Sequence, residues 1–252
     1  MNGLRPIRKL TSKSATRALE VLELFGEERG SLRAKQIGNA LGLRPSSTDL
    51  LLKTMAHSGY IIFDPLSKEY EPSPKLFKFS SFLKDNLYRK NEDVPRILAE
   101  LWARTGAIAT LALRNGDFMC ITDTHTDEGD DYRFSMGQGY ALDGISGTTL
   151  LSALEEEETL RILDRAARYR HLSGDWRSTL LPAIREAAAR GFSFGATCSP
   201  AFWAAAVPVA LGFSGRQRFA VLSASGTKDY IRPRSDAIVE ATHALARELS
   251  AA

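Results

Sequence analysis

Only two cysteines occur in the 252 residues, Cys120 and Cys198, far apart and in no metal-ligand spacing. That scarcity argues against a disulfide scaffold and a thiolate-held metal, and makes a reducing compartment the expected setting. Histidine is scarce as well, and His57, His125, His171 and His243 show no spacing with acids or cysteines suited to a zinc site or a catalytic triad. No metal and no cofactor is expected. The N-terminal residues lack the apolar run of a signal peptide, so a cytoplasmic location is expected. Charge of one sign is nearly absent from the total, +3, but not from its distribution. Residues 1 to 90 hold 16 Lys plus Arg against 9 Asp plus Glu, whereas residues 91 to 252 hold 17 against 21.

One long run lacks charge altogether, from Gly191 to Gly215, and is long enough to cross a bilayer. Pro200, Pro208 and several small residues interrupt it, so two buried strands are expected instead, Phe192 to Cys198 and Trp203 to Leu211, with no membrane partner. The run opens with Gly191-Phe192-Ser193-Phe194-Gly195, a G-x-S-x-G pattern. A nucleophile elbow needs a strand before the serine and a helix after it, and here a helical stretch precedes and β-prone sequence follows. The chain is therefore not expected to be an enzyme, and a hydrolase remains only as an alternative.

What is present is concentrated between Gly42 and Ile61. Gly42 can take positive φ between two helical patterns, and Pro45 suits a first helical turn, where its missing N–H costs nothing. The helix so opened buries Leu51, Leu52 and Met55 and leaves Arg44, Ser46, Ser47, Asp49 and Lys53 at its start and on its outer side. Ahead of it, Ser14 can cap a helix with Ala15, Ala18, Leu19, Leu22 and Phe25 on one face and Gly30 just past its end, and Arg33 to Leu41 makes a second short helix. Behind it, Gly59 stops the helix, Tyr60 to Phe63 reads as a strand, Asp64-Pro65 as a turn, and Tyr70 lies in a second extended piece before Pro72. Three helices and a hairpin make a winged helix-turn-helix, and the basic half of the chain is the half that contains it. Lysines and arginines supply the sequence-independent part of DNA affinity, so Lys68 of the wing joins the DNA-facing set, with Arg5, Arg8, Lys9 and Lys13 as a basic arm.

These readings divide the chain into a DNA-binding domain over residues 1–73, a linker helix over 74–91 and a second domain over 92–252. The linker carries Leu76, Phe79, Leu83 and Leu87 on one face, to be covered by the same helix of a second subunit or by its own winged domain. Past Glu92 the pattern becomes α+β: a helix from Val94 to Thr105, strands Ile108 to Leu113 and Phe118 to Asp123 around Asn115-Gly116, and a strand near Tyr132 to Met136. Helices follow near Gly147 to Leu154, Glu156 to Arg168 and Leu180 to Arg190, then three strands ending at Ala224, and a last helix opened by Pro233. An antiparallel sheet flanked by helices suits a small-molecule sensor. Gly144 and Gly147 at a helix start, with Thr148, can present donors to an anion. Met136, Phe202 and Trp203 can form an apolar wall, and Cys198, Ser223 and Ser225 the orienting polar contacts. The plain reading of Phe202 and Trp203 as core, and of the glycines as turns, stands beside this one.

From Ser14 onward the chain resembles the IclR-type transcriptional regulators. The matching pieces are Ser14 to Phe25, Lys35 to Ile61 and Tyr70 to Phe77 in the first half, and Met136 to Leu154, Ile184 to Phe194, Ala204 to Gly215 and Val221 to Gly226 in the second. The resemblance implies a winged helix-turn-helix joined to a GAF-like α/β effector domain, and a homodimer or dimer of dimers on a (pseudo)palindromic double-stranded DNA operator. It also implies a metabolite in the second domain, often a small carboxylic or aromatic acid, and matches Ser223 and Ser225 to positions lining that pocket. A second domain that only oligomerises is the alternative. Two departures bear on specificity. Leu50 stands where the family often has arginine, and Asp49 replaces a commonly aromatic or neutral neighbour; Asp49 can accept from a cytosine amino group or merely cap the first turn and repel phosphate. Gly195 to Phe202 lacks the acidic residues usual in the family, so an unusual effector or one held mostly by apolar walls is expected.

Overall fold

The computed structural model describes residues 12–79, 93–127, 139–168, 172, 175–197, 199–213 and 216–251. The chain divides into two compact units, residues 1–85 and 86–252. In the first, α1 spans Lys13–Glu28, α2 Ala34–Ala40 and α3 Pro45–His57, followed by strands β2 (Ile61–Asp64) and β3 (Glu69–Pro72). A two-residue strand β1, Leu32–Arg33, pairs with β3 and makes a three-stranded sheet of order β1-β3-β2. So short a strand leaves no periodicity to read in the sequence.

Val21, Phe25, Ile37, Leu52, Met55, Ile61 and Tyr70 pack into one core, each buried Leu or Ile contributing about 1.5–3 kcal/mol. Gly42 has the left-handed φ of 61° that the turn before α3 needs, and Pro45 is the first residue of that helix. Helix α1 departs from expectation at both ends and along its face. It begins at Lys13, with Ser12 before it, so Ser14 is inside the helix rather than capping it. It ends through Arg29, whose φ of 51° and N–H bond to the Phe25 carbonyl take the place expected of Gly30. Its buried side is centred on Val21, Leu24 and Phe25, leaving Ala15 exposed and Leu19 61% exposed. Two apolar stripes overlap on this helix, and the position of Leu52 and Tyr70 decides which one is covered. Of the expected linker helix, a 3-10 turn at Pro74–Leu76 is seen, and residues 80–92 lie outside the described set, as do those of the basic arm before Ser12.

The second unit is built on a six-stranded, wholly antiparallel sheet of order β6-β5-β4-β9-β8-β7. Its strands are β4 Ile108–Asn115, β5 Phe118–His125, β6 Gly139–Ala141, β7 Ser193–Ala196, β8 Phe202–Phe213 and β9 Arg216–Thr227. Alternation along the strands gives the sheet two inward faces. Ala109, Leu111, Leu113, Val207, Val209, Leu222 and Ala224 meet α4 (Val94–Thr105) and the C-terminal α9 (Ser235–Ala251). Ala112, Met119, Ala206 and Val221 meet α5 (Ile145–Ser152), α6 (Glu156–Arg168) and α7 (Trp176–Arg190). A short helix, α8 (Lys228–Ile231), and a 3-10 turn at Arg232–Arg234 precede α9, so Pro233 lies just ahead of the helix it was expected to open.

The uncharged run resolves into β7 and β8, and no helix among the described residues is long and apolar enough to cross a membrane. The β4–β5 turn falls one residue later than expected: Asn115 pairs with Phe118, so Gly116 and Asp117 are the two loop residues. Helix α5 starts two residues earlier than expected, with Gly144 as its N-cap. The expected strand near Tyr132 to Met136 lies outside the described residues.

Candidate functional site

Two places carry groups not consumed by packing, one in each unit. In the first unit α3 is anchored through Thr48, Leu52 and Met55, and its opposite side is open. Arg44, Ser46, Ser47, Asp49 and Lys53 are all exposed on it, and Lys68 is exposed in the β2–β3 turn with a left-handed φ of 63°. The Asp64 carboxylate holds that turn by accepting from the Leu66 N–H at 2.9 Å and the Ser67 hydroxyl at 2.8 Å, bonds that lower its pKa. Asp49 lies beyond the first turn of α3 and caps nothing. It accepts a hydrogen bond from Lys53 Nζ at 2.8 Å, which raises the lysine pKa, first through that bond and then through the charge behind it. Leu50, beside it, is 69% exposed.

In the second unit a cavity of about 540 Å³ lies between the sheet and the start of α5. Its floor is a row of paired residues, Thr124 on β5, Thr110 on β4 and Ser223 on β9, where the Thr110 and Ser223 hydroxyls are 2.7 Å apart. A β-bulge sets this row. Ala112 pairs with Ile121 but Leu111 pairs with Asp123, so Thr122 is an extra residue whose hydroxyl bonds the Leu111 carbonyl at 3.3 Å. Past the bulge, Ile121 and Thr124 both line the cavity, while His125 turns to Trp102 on α4, ring centres 5.4 Å apart. The Thr124 hydroxyl oxygen is buried without a hydrogen-bond partner among the described residues. Ala112, Met119, Ile121, Ile145, Phe202 and Ala204 form the apolar walls.

At the other side stand Asp143, Gly144, Ile145, Ser146 and Gly147. The N–H groups of Ile145, Ser146 and Gly147 open α5 and have no acceptor within it, so the positive end of the helix faces the cavity. Gly147 is required there, because a Cβ would drive into the Leu142 carbonyl. Lys, Arg and His are absent from the described lining, and Asp143 is its one charged residue.

Of the residues singled out in the sequence, Gly144, Gly147, Phe202, Ser223 and Ser225 line this cavity together. Thr148 does not: it is buried in the helix and its hydroxyl returns to the Gly144 carbonyl at 3.1 Å. Neither does Trp203, which strand alternation sends to the other face, edge-on to Phe194 at 5.5 Å. Met136 and Cys198 lie outside the described residues. Thr110, Thr124, Ser146 and Ser199 line the cavity without having been singled out. Thr110 was legible only through its cross-strand pairing with Ser223, and the bulge that orients Thr124 leaves no mark in a single strand's pattern. Ser193 of the G-x-S-x-G run follows α7 directly and accepts from the Thr149 hydroxyl at 2.7 Å, and no group of three His, Cys, Asp or Glu among the described residues could hold a metal.

Comparison with known proteins agrees with this architecture. Residues 14–65 match the IclR helix-turn-helix domain. Over 104 residues the chain is 32% identical to the HTH-type transcriptional regulator XynR of Escherichia coli K12, a match spanning 41% of each protein. An IclR transcriptional regulator from Alicyclobacillus acidocaldarius superposes with a TM-score of 0.67 at 23% identity, over 96% of this chain and 98% of that one. An IclR homologue from Microbacterium hydrocarbonoxydans, solved with 4-hydroxybenzoate, superposes with a TM-score of 0.66 at 16% identity, over 95% of this chain and all of that one. Residues 14–65 thus carry a helix-turn-helix of the IclR type, and the chain has the fold that these solved IclR structures share.

Proposed function

We propose that the chain is a ligand-responsive regulator that binds a (pseudo)palindromic operator as a dimer or dimer of dimers in the cytoplasm and senses a small carboxylic or aromatic acid. The observation that carries the sensing half is the cavity: apolar walls, a hydroxyl row and the open end of α5 converge on a space of about 540 Å³, within the range typical of small-molecule sites. A carboxylate fits the Ile145, Ser146 and Gly147 N–H groups, which also compensate for the lack of a cationic side chain in the described lining. An aromatic ring fits between Phe202 and the Met119–Ile121 wall, with Ser223 and Ser225 as orienting hydroxyls. The 4-hydroxybenzoate bound by the Microbacterium homologue is a ligand of this class. The operator is met by Arg44, Ser46, Ser47, Asp49 and Lys53 of α3 and by Lys68 of the wing, two copies of α3 matching two half-sites.

An effector changes operator affinity only if it binds the free and DNA-bound forms unequally. The test is operator affinity measured with and without a panel of aromatic and aliphatic acids, alongside thermal unfolding in their presence. An acid that raises the unfolding temperature and shifts operator affinity supports the reading. If no acid does either, the second domain serves assembly alone.

A further inference from the structure

The outward stripe of α3 is chemically odd for a surface that meets a polyanion. Ser46, Leu50, Lys53 and His57 share it, at helical spacing opposite the buried Thr48, Leu52 and Met55, and its most central residue is apolar. Leu50 is 69% exposed and stands outside the hydrophobic core of its unit among the described residues. The neighbouring Thr54 hydroxyl is spent on the Leu50 carbonyl at 2.7 Å. Beside Leu50, Asp49 and Lys53 form an ion pair, their side chains 55% and 70% exposed. A lone carboxylate at this position would be repelled by phosphates. Paired, it carries no net charge and offers an acceptor and a donor side by side: Lys53 engages Oδ2, leaving Oδ1 of Asp49 and two ammonium hydrogens directed to solvent.

That couple is the complement of one base-pair edge. In the major groove a C·G pair shows the cytosine amino donor next to the guanine O6 and N7 acceptors, and thymine adds a methyl group that apolar side chains contact. We propose that Asp49 and Lys53 read a C·G pair as a unit, Asp49 accepting from the cytosine amino group and Lys53 donating to guanine, while Leu50 packs on the methyl of a neighbouring thymine. The proposal rests on the reading that α3 enters the major groove of an operator. It makes Asp49 and Leu50 specificity determinants rather than defects in a basic surface.

The test uses the full chain to select duplexes from a random library, with the wild type, Asp49→Asn and Leu50→Ala compared. Both residues are exposed, and matching unfolding midpoints confirm that neither substitution disturbs the core. Asparagine pairs with adenine, so Asp49→Asn is expected to move the preference at one motif position from C·G towards A·T, by roughly 5- to 150-fold. Replacing the contacted thymine by uracil, which lacks the methyl, should weaken the wild type about fourfold and leave Leu50→Ala unaffected. The proposal is overturned if Asp49→Asn binds all duplexes more tightly by one factor with its motif unchanged, which marks Asp49 as a repulsive charge only. It is equally overturned if uracil has no effect at any thymine. A wild type that enriches no duplex at all removes the DNA-binding reading and the proposal with it, an outcome distinct from the other two.

Discussion

Along β4 and β9 neighbouring residues meet opposite fates. Leu111 and Leu222 point into a packed layer beneath α4 and α9, whereas Thr110 and Ser223, one position away, border a hollow beneath α5. Both sets belong to one continuous β4–β9 register, so the difference is one of side-chain volume and polarity. On the packed face leucine and valine fill the gap to the helices. On the other face Thr110, Thr124, Ala204, Ser223 and Ser225 are too small to fill the space at the start of α5, and the Thr110 and Ser223 hydroxyls bond one another across it. A packed layer and a cavity are thus allotted to alternate residues of the same strands.

Substitutions can break or sharpen that division. Leu222→Ala, on the packed face, is expected to cost about 2–5 kcal/mol in urea unfolding, while Ser223→Ala costs less than about 1.5 kcal/mol; equal costs would mean that the hollow is not hollow in solution. Gly147→Ala should cost about 1–3 kcal/mol, because the Leu142 backbone it meets has no room to withdraw, and should lower acid binding as the first turn of α5 shifts. Ser225→Leu, which fills the cavity from its floor, should change stability by less than about 1 kcal/mol and abolish the thermal stabilisation given by any acid that stabilises the wild type. Thr124→Val, which removes a hydroxyl that has no partner among the described residues, should be neutral or stabilising by up to about 1 kcal/mol, measured by the same unfolding curves.

The elements that carry strong local signals were legible in the sequence. Helix α4 runs over the expected Val94–Thr105, α6 over Glu156–Arg168, and the Gly42 turn and Pro45 start of α3 are as read. The errors arise where a tertiary partner decides between local options. Leu19 loses its place in the core to Val21 and Leu24 because Leu52 and Tyr70 sit against the other stripe of α1. Phe202 and Trp203 are adjacent aromatics, and only the register with Thr227 and Gly226 shows that the first faces the cavity and the second the packed layer. Thr148 sat correctly near a helix start in sequence, but α5 begins at Ile145, which turns its hydroxyl inward. Five of the seven hydroxyl side chains lining the cavity, Thr110, Thr124, Ser146, Thr197 and Ser199, escaped notice, the first two because they matter only as a row across strands.

The bulge at Thr122 governs more than its own strand. With regular pairing carried on from Ile121, Asp123 would stand opposite Thr110 and Thr124 opposite Ala109, exchanging the faces they present. A second carboxylate, beside that of Asp143, would then line the hollow, and the acid site proposed above would favour a cation instead. The chemical preference of this pocket is therefore written partly in strand length, and a one-residue slip in β5 could change ligand class without a single substitution in the lining.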